Sequence, residues 1–303
     1  DSALEKFPPI LRQILFNRGF ANYDEAKNFL NGKPNIDTNP FQMTGMQTAV
    51  DRIQFAIKNN EPIAIYGDYD VDGVTATALL VDALRRLDAN VEGYIPNRFE
   101  EGYGLNPNAL DDLKSRGVKL VISVDCGIRS PSEALHAKNI GLDLIISDHH
   151  HPESVRADGH PPLPEAFAVI NPKQHGDLYP DKDLAGVGIA YKIAEALFSV
   201  QDPVINNLDW LLDLVALGTV ADLAPLVGEN RVLVKRGLRQ MRQTTRQGLF
   251  SLAGVSELAV PKITAMDIGF RLGPRLNASG RLKEALASFE LLTTTDVFRA
   301  GEL

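Results

Sequence analysis

The chain of 303 residues contains a single cysteine, Cys126, so it has no second thiol with which a disulfide could form. A reducing compartment is therefore compatible with the sequence. The sequence has no run of about 18 apolar residues, and its start at Asp1 shows no signal-peptide pattern. We expect a soluble, cytoplasmic protein with no membrane partner, and the opening Asp in place of Met indicates a trimmed or processed start.

An excess of positive charge is also absent, because the net charge is −8 at pH 7. The charge is unevenly distributed, however. Residues 231–283 contain eleven Lys and Arg against two acids, which gives this segment a charge of +9 and the remainder −17. Clustered acids can be neutralised by metal ions, whereas a basic segment of this size can attract a polyanion.

One stretch, residues 63–73, organises the rest of the sequence, because in it an apolar run ends in the alternating carboxylates Asp68, Asp70 and Asp72. In an extended segment these side chains would point the same way. Three converging like charges repel one another unless a cation lies among them, so the spacing favours a divalent metal. An EF-hand calcium loop also begins in this way, but its twelfth position is Leu79, where a bidentate Glu is required. An acidic turn without a ligand is the remaining alternative.

From residue 61 onwards, short apolar runs alternate with helical patterns, which is typical of parallel βαβ units. We therefore predict an α/β fold in which helices flank a parallel five-stranded sheet, with helical extensions at both ends of the chain. The predicted strands are 63–66, 91–95, 120–124, 144–146 and 168–170. The predicted domains are a helical segment at 1–60, a metal-binding α/β domain at 61–228 and a basic helical segment at 229–303.

Open parallel sheets bind their ligands beyond the carboxyl ends of the strands, and three of the predicted strands run directly into polar residues. These residues are Asp68, Asp70 and Asp72 after the first strand, Asp125 after the third, and Asp148, His149 and His150 after the fourth. Mixed carboxylate and imidazole ligation suits Mn²⁺ or a similar ion better than Ca²⁺. Asp222 is a further candidate ligand, since a carboxylate at the end of a buried helix needs a compensating charge.

Two late segments are rich in arginine. The first is a predicted helix at 231–246, which presents either a solvated surface or a contact for a polyanion. Its cations on one face are Lys235, Arg239, Arg242 and Arg246. The second, 273–281, is a predicted loop of Gly and small polar residues with Arg275 and Arg281. Amides and guanidinium groups both match phosphate oxygens, so this loop favours phosphate binding, with a structural turn as the alternative.

Taken together, these motifs closely resemble those of the DHH phosphoesterase superfamily and, within it, the bacterial RecJ single-strand-specific exonucleases. The motifs lie at 67–73, 124–128, 148–150, 218–222 and, in a form similar to RecJ, 272–281. The resemblance implies a DHH-type α/β domain and a metal-dependent phosphodiesterase. Its expected activity is 5′-3′ hydrolysis of single-stranded DNA to 5′-mononucleotides in DNA repair and recombination, with two Mn²⁺ or Mg²⁺ ions.

The resemblance also implies roles for individual residues. Asp125 would bridge two metal sites, of which one contains Asp72, His149 and Asp222 and the other Asp68 and Asp70. In catalysis, His150 and Arg281 would stabilise charge on the phosphate, and Asp148 would orient His149 or its neighbour. The expected substrate contacts are Arg98, Arg275, Asn277, Ser279 and Arg281. Single-stranded DNA is the expected substrate, and a single-strand-binding protein is the partner that the resemblance indicates.

Two other functions are compatible with the superfamily. Some relatives act on short oligonucleotides, cyclic dinucleotides or pyrophosphate, although the basic segment and the late arginines favour a longer polyanion. A metal-free replication scaffold is the other alternative, but its mark would be lost ligand carboxylates, and here every expected position is filled. RecJ cores continue into a second domain with a Gly-Gly-His motif, so we expect this chain to comprise the catalytic domain alone.

Overall fold

The computed structural model of the chain describes residues 4–32, 37–97, 102, 104–153, 163–201, 207–281 and 285–303. A five-stranded parallel sheet in the order β2-β1-β3-β4-β5 lies at its centre. The strands are β1 (Ile63–Gly67), β2 (Val91–Tyr94), β3 (Leu120–Val124), β4 (Asp143–Ser147) and β5 (Ala168–Ile170). The predicted α/β class and parallel sheet are confirmed, and each strand is found within one residue of its predicted ends.

Helices precede, connect and follow the strands. Before the sheet lie α1 (Pro9–Asn17), α2 (Tyr23–Asn31) and α3 (Met46–Lys58), and between its strands lie α4 (Val71–Arg85), α5 (Pro107–Ser115) and α6 (Pro131–Asn139). After β5 follow α7 (Gly186–Gln201), α8 (Leu212–Ala221), α9 (Gly228–Met241), α10 (Gln247–Val255), α11 (Ala265–Asp267), a π-helical turn (Ile268–Leu272), α12 (Gly273–Arg281), α13 (Ala285–Thr293) and α14 (Val297–Glu302). None of the helices in the described ranges is both long and apolar enough to cross a membrane.

Both faces of the sheet are covered, because alternate residues of each strand enter opposite layers. Ile63 and Ile65 of β1 belong to a large core with α3, α4 and α7, whereas Ala64 and Tyr66 pack with α5 and α6. This double coverage explains why the strands are nearly continuous apolar runs. The larger core continues beyond the sheet into the helices that follow β5, as far as α14.

The predicted basic helix is shorter than expected, and its last cation is buried. The helix α9 ends at Met241, where Thr244 follows and donates its hydroxyl to Asp213 of α8. Arg246 lies beyond the helix and forms ion pairs with Asp213 and with Asp82 of α4. The Thr244 hydroxyl also accepts a hydrogen bond from the N–H of Arg246 at 3.2 Å, and such a local contact competes with continuation of the helix. Arg246 therefore joins α4 to α8 instead of extending a basic surface.

Other cations of this segment also have partners inside the protein. Arg231 lies over the ring of Phe29, with 3.8 Å from its guanidinium carbon to the ring centroid. Arg231 and Lys235 both donate to main-chain carbonyls in the last turn of α2. Arg242 donates to the carbonyl of Ile263 at 2.9 Å. These contacts attach α2 and the chain before α11 to α9, so much of the positive charge has a structural role.

The segment predicted as an arginine-rich loop is helical, so that prediction was wrong. The π-helical turn runs directly into α12, and Pro274, which has no N–H to donate, comes just after this wider turn, where the regular hydrogen-bond pattern is already interrupted. Leu276 of this helix is buried in the core. Burial of an apolar side chain thus outweighed the weak helix propensity of the Gly, Asn and Ser residues around it.

The close packing of α8 on α9 leads to a testable prediction. A Cβ at Gly237 of α9 would lie 2.1 Å from the carbonyl oxygen of Leu212 and 2.7 Å from Cβ of Ala216. We expect Gly237→Ala to lower the free energy of unfolding by about 1–3 kcal/mol, because the two helices must separate. Urea unfolding followed by circular dichroism measures this change.

The matched control is Gly254→Ala in α10, where an added Cβ would meet no atom within 4 Å. Alanine there should leave stability unchanged or raise it by up to about 1 kcal/mol, since it restricts the unfolded chain and favours the helix. Equal effects of the two substitutions would show that the α8–α9 contact is not as close as described.

Candidate metal centre

The chain turns after β1, and this turn carries three of the predicted ligands. Asp68 lies in the loop, Asp70 is the N-cap of α4, and Asp72 lies in the first turn of that helix. Asp70 accepts a hydrogen bond from the N–H of Gly73 at 3.0 Å. The three carboxylates therefore do not alternate along an extended segment, as the spacing predicted, because α4 begins among them. The strand before Asp68 also excludes an EF-hand, which requires a helix there.

Asp72 lies where α4, α7 and α8 meet. Its carboxylate oxygens accept hydrogen bonds from the N–H groups of Gly186 at 2.7 Å and Val187 at 2.9 Å, at the start of α7. Helix α8 approaches closely at Gly218, where a Cβ would lie 3.0 Å from Oδ1 of Asp72 and 2.2 Å from Oγ1 of Thr75. Asp72 is therefore buried and held by the positive end of α7.

Asp125 follows β3 in a left-handed backbone conformation, with φ of 60°. Such a conformation is uncommon outside glycine, although aspartate tolerates it. The N–H of Asp125 donates to the carbonyl of Ser147 at the end of β4. On its other side, a Cβ at Gly186 would lie 2.7 Å from Cβ of Asp125. Asp125 is thereby held at the carboxyl edge of the sheet, between β4 and α7.

The two histidines after β4 take different positions. Nε2 of His149 lies 3.0 Å from Oδ1 of Asp125 and 3.9 Å from Oδ2 of Asp72. Nδ1 of His150 lies 2.8 Å from Oδ1 of Asp148, which also accepts a hydrogen bond from the main-chain N–H of His150. The sequence did not decide whether Asp148 orients His149 or His150. These two contacts show that it orients His150.

Three sets of side chains offer ligand atoms that lie within 4.8 Å of one another. The sets are Asp125, His149 and His150; Asp72, His149 and Asp222; and Asp68, Asp70 and Asp125. Asp125 and His149 each belong to two sets, which suits two neighbouring ions with shared ligands. The fold therefore brings together all six residues that the sequence predicted as metal ligands, from four different parts of the chain.

Burial makes four carboxylates of this cluster hold protons unusually strongly. Burial, and next the charge of Asp70, raise the pKa of Asp68 and of Asp72 to about 7. Burial and the charge of Asp72 raise the pKa of Asp222 to about 6. The same two causes hold the pKa of Asp125 well above its usual value. A bound cation would favour the charged carboxylates and reverse these shifts.

Two buried atoms at the centre of the cluster point to a ligand. Oδ1 of Asp125 and Nε2 of His149 lie 3.0 Å apart, yet neither has a hydrogen-bond partner within the described ranges. Buried polar atoms are normally satisfied, so these two need an explanation. Carboxylate oxygen together with imidazole nitrogen is a ligand set that Mn²⁺ accepts, and the surrounding carboxylates suit Mg²⁺. The residues present therefore fit a divalent metal ion.

His150 differs electrostatically from its neighbour. Its hydrogen bond to Asp148 is the largest cause that raises its pKa above the ordinary value. For Asp148, burial favours the protonated form, but the hydrogen bond and the charge of His150 outweigh it and lower the pKa. The pair therefore retains a proton on His150, whose side chain is 38% exposed. His150 can act as a proton or hydrogen-bond donor at the rim of the cluster.

One of the predicted substrate contacts makes a contact within the protein. Oδ1 of Asn277 on α12 accepts a hydrogen bond from the N–H of Val71 at 3.1 Å, between Asp70 and Asp72. The structure thus attaches α12 directly to the turn that carries the carboxylates. Arg275, on the same helix, is exposed and donates to a main-chain carbonyl one turn earlier.

The other predicted substrate contacts cannot be placed in the same way. Ser279 and Arg281 belong to α12, but their side chains lie outside the part of the chain that the structure describes. Arg98 lies outside the described residues altogether.

Asn171 is a residue of the site that the sequence analysis missed. It follows β5 and is fully buried, and its Nδ2 donates to the carbonyl of His150 at 2.9 Å. Its Oδ1 accepts a hydrogen bond from the N–H of Lys173. The strand-end rule, applied to the fifth strand as well, would have identified it. Asn171 holds the histidine segment in place.

Comparison with known proteins was consistent with this geometry. The model of the "DHH family, N-terminal domain" matches residues 62–219. RecJ, the single-stranded-DNA-specific exonuclease of Bacillus subtilis, is 45% identical over 97% of this chain and 36% of its own length.

Two solved structures are also similar. Exonuclease RecJ bound to manganese has 34% identity and a TM-score of 0.76, over 86% of this chain and 63% of that one. RecJ from Thermus thermophilus in complex with Mn²⁺ has 31% identity and a TM-score of 0.81, over 99% of this chain and 41% of that one. The chain thus spans less than two thirds of each of these relatives. Because the family model matches more than half of its residues, the chain belongs to the DHH family.

Proposed function

We propose that the protein is a metal-dependent phosphodiesterase that degrades single-stranded DNA from its 5′ end to 5′-mononucleotides. The observation that carries this proposal is the shared position of Asp125, which belongs to two sets of ligand atoms and whose buried Oδ1 has no hydrogen-bond partner among the described residues. A pair of divalent ions bridged by a carboxylate is suited to phosphoester hydrolysis. The choice of substrate is supported by the similarity to RecJ of Bacillus subtilis, named a single-stranded-DNA-specific exonuclease.

In this proposal the two ions are Mn²⁺ or Mg²⁺ and share Asp125. The first site consists of Asp72, His149 and Asp222 and the second of Asp68 and Asp70, each together with Asp125. Ions held there would lower the pKa of water and would neutralise charge on the phosphate. The amides at the start of α7 hold Asp72 in position for this role.

The protonated His150 would donate to a phosphate oxygen or to the leaving oxygen, where negative charge develops. Asp148 would hold the imidazole of His150 in a fixed orientation and favour its charged form. Arg281, together with Arg275, Ser279 and Arg98, would contact substrate phosphates, since guanidinium and hydroxyl groups match their oxygens. Asn277 would combine a substrate contact with its hydrogen bond to the carboxylate turn.

The proposed activity also indicates a role in the cell. An exonuclease that removes single strands would serve DNA repair and recombination in the cytoplasm, and a single-strand-binding protein is the partner that we propose.

The proposed activity predicts the products of a simple assay. With Mn²⁺ present, a 5′-phosphorylated single-stranded oligonucleotide should release mononucleotides from its 5′ end, because in-line hydrolysis at the ions removes one terminal nucleotide at a time. A duplex of the same sequence should resist. Products separated by length over time measure both results.

The two alternative functions give different products in this assay. Turnover of dinucleotides or cyclic dinucleotides without cleavage of the long strand would contradict the exonuclease proposal in favour of the small-substrate relatives. Absence of both cleavage and metal binding would favour a non-catalytic scaffold.

Substitution of single ligands should separate catalysis from folding. We expect Asp70→Asn and His149→Ala each to reduce cleavage at least about 100-fold, because each removes a metal ligand. Asn at position 70 can still cap α4, so stability should change little. The control is His136→Ala on α6, whose imidazole pairs with Asp111 outside the site. Cleavage rates and thermal unfolding test this, and retained turnover in either ligand variant would contradict the metal assignment.

The raised pKa values predict how stability depends on pH in the absence of divalent ions. Asp68 and Asp72 have pKa values of about 7 in the folded protein, against 3.8 in the unfolded chain. The folded state therefore binds more protons, and this contribution to stability is lost as the pH rises from about 4 through about 7. Mn²⁺ replaces the protons, so the loss should disappear when it is bound.

Thermal unfolding between about pH 5.5 and pH 8, with and without Mn²⁺, measures this difference. Asp68→Asn should flatten the profile of the metal-free protein. Parallel profiles with and without Mn²⁺ would argue against ion binding at these carboxylates.

A further inference from the structure

Two cations lie on either side of the histidine segment that follows β4. Arg129 follows β3, and its Nε donates to the carbonyl of His151 at 2.8 Å. Lys173 follows β5, and its N–H binds Oδ1 of Asn171, which in turn holds the carbonyl of His150. Because β4 lies between β3 and β5, the loops that carry the two cations flank this segment on opposite sides at the carboxyl end of the sheet.

Neither cation forms an ion pair with a carboxylate within the described ranges. Other surface cations of the same sheet do, as Lys138 pairs with Glu165 and Arg116 with Glu92. Among the residues that the structure describes, the guanidinium of Arg129 contacts the protein only through Nε, so both Nη groups can bind another acceptor.

The charges of both side chains reach the cluster. Burial is the main cause that lowers the pKa of His149, and the charges of His150 and then Lys173 add to it. The charge of Arg129 likewise opposes the rise in the pKa of His150 that Asp148 produces. Both cations therefore lie within electrostatic reach of the histidines.

A polyanionic substrate needs such cations. The site holds six carboxylates, of Asp68, Asp70, Asp72, Asp125, Asp148 and Asp222. They outnumber the five positive charges of two divalent ions and the protonated His150, so the loaded centre would still repel the phosphates that flank the reacting one. The basic segment does not supply the balancing charge in the expected way, because several of its cations bind carbonyls and carboxylates of the protein.

We propose that Arg129 and Lys173 form a phosphate-binding edge beside the metal centre, which holds the backbone of the substrate strand next to the bond that is cleaved. This inference rests on the proposed function and names residues that bind its substrate. Arg129 would bind a phosphate through hydrogen bonds from its two Nη groups, and Lys173 would attract a neighbouring phosphate with its positive charge.

The test is equilibrium binding of a fluorescent 5′-phosphorylated single-stranded oligonucleotide in Ca²⁺, at a series of salt concentrations, by fluorescence anisotropy. The variants are Lys173→Gln and Arg129→Gln. Their control is Lys119→Gln, which removes an exposed cation directly before β3, at the opposite edge of the sheet. Mn²⁺ affinity is measured for each variant by titration calorimetry.

Each site variant should lower affinity most at low salt and reduce the slope of log K against log salt concentration by about 0.7, the value for one phosphate contact on a single strand. The control should match the wild type, and Mn²⁺ affinity should not fall in any of the three variants, since loss of a nearby positive charge does not disfavour a bound cation. Site variants that bind DNA like the control would overturn the inference. It would also be overturned by an equal loss of Mn²⁺ affinity, because the cations would then act by holding the histidines.

The outcome of this binding experiment can be distinguished from the outcome of the cleavage assay that tests the proposed function. If the wild type binds the strand with the expected salt slope but does not cleave it in Mn²⁺, the exonuclease proposal fails and the phosphate-binding edge remains. If the wild type does not bind the strand at all, the edge is refuted, whatever the site does to small phosphodiesters.

Discussion

Mutual repulsion among buried carboxylates is the constraint on which this site depends. Asp68, Asp72 and Asp125 are almost fully buried, and burial, followed by the charges of neighbouring carboxylates, raises the pKa of each. A protein interior tolerates such an arrangement when a cation compensates it. The unpartnered Oδ1 of Asp125 and Nε2 of His149 mark the place where compensation is needed. The surrounding structure serves to keep these groups from moving apart.

Close backbone packing provides that restraint. Gly186 and Gly218 let α7 and α8 approach Asp125 and Asp72 to distances that a side chain would prevent. The N-terminal amides of α7 donate to Asp72 and oppose the rise in its pKa that burial causes, so they favour the charged carboxylate that a metal binds. Farther from the site, Arg246 joins α4 to α8 through two buried carboxylates. The helices that carry the ligands are therefore attached to one another at both ends of the interface.

The cationic side chains of this protein have two different roles. Cations of the basic segment mainly join helices, as Arg231 and Lys235 do at the end of α2. The cations nearest to the histidines, Arg129 and Lys173, come from loops at the edge of the sheet that the charge distribution along the sequence did not single out. Net charge along a sequence therefore says little about which cations remain available to a polyanion, because partners inside the fold are decided by packing.

The sequence by itself determined the parallel sheet, its five strands and the set of strand-end ligands, because buried parallel strands are continuous apolar runs and their carboxyl ends share one edge. Only the tertiary structure decided that α4 begins among the first three carboxylates, that residues 273–281 are helical and that Asp148 orients His150. These features depend on contacts between segments distant in the chain, such as Leu276 in the core and Asn277 on Val71. The local sequence pattern around a residue does not predict such contacts, because their stabilising energy also depends on a partner residue that lies far away in the sequence.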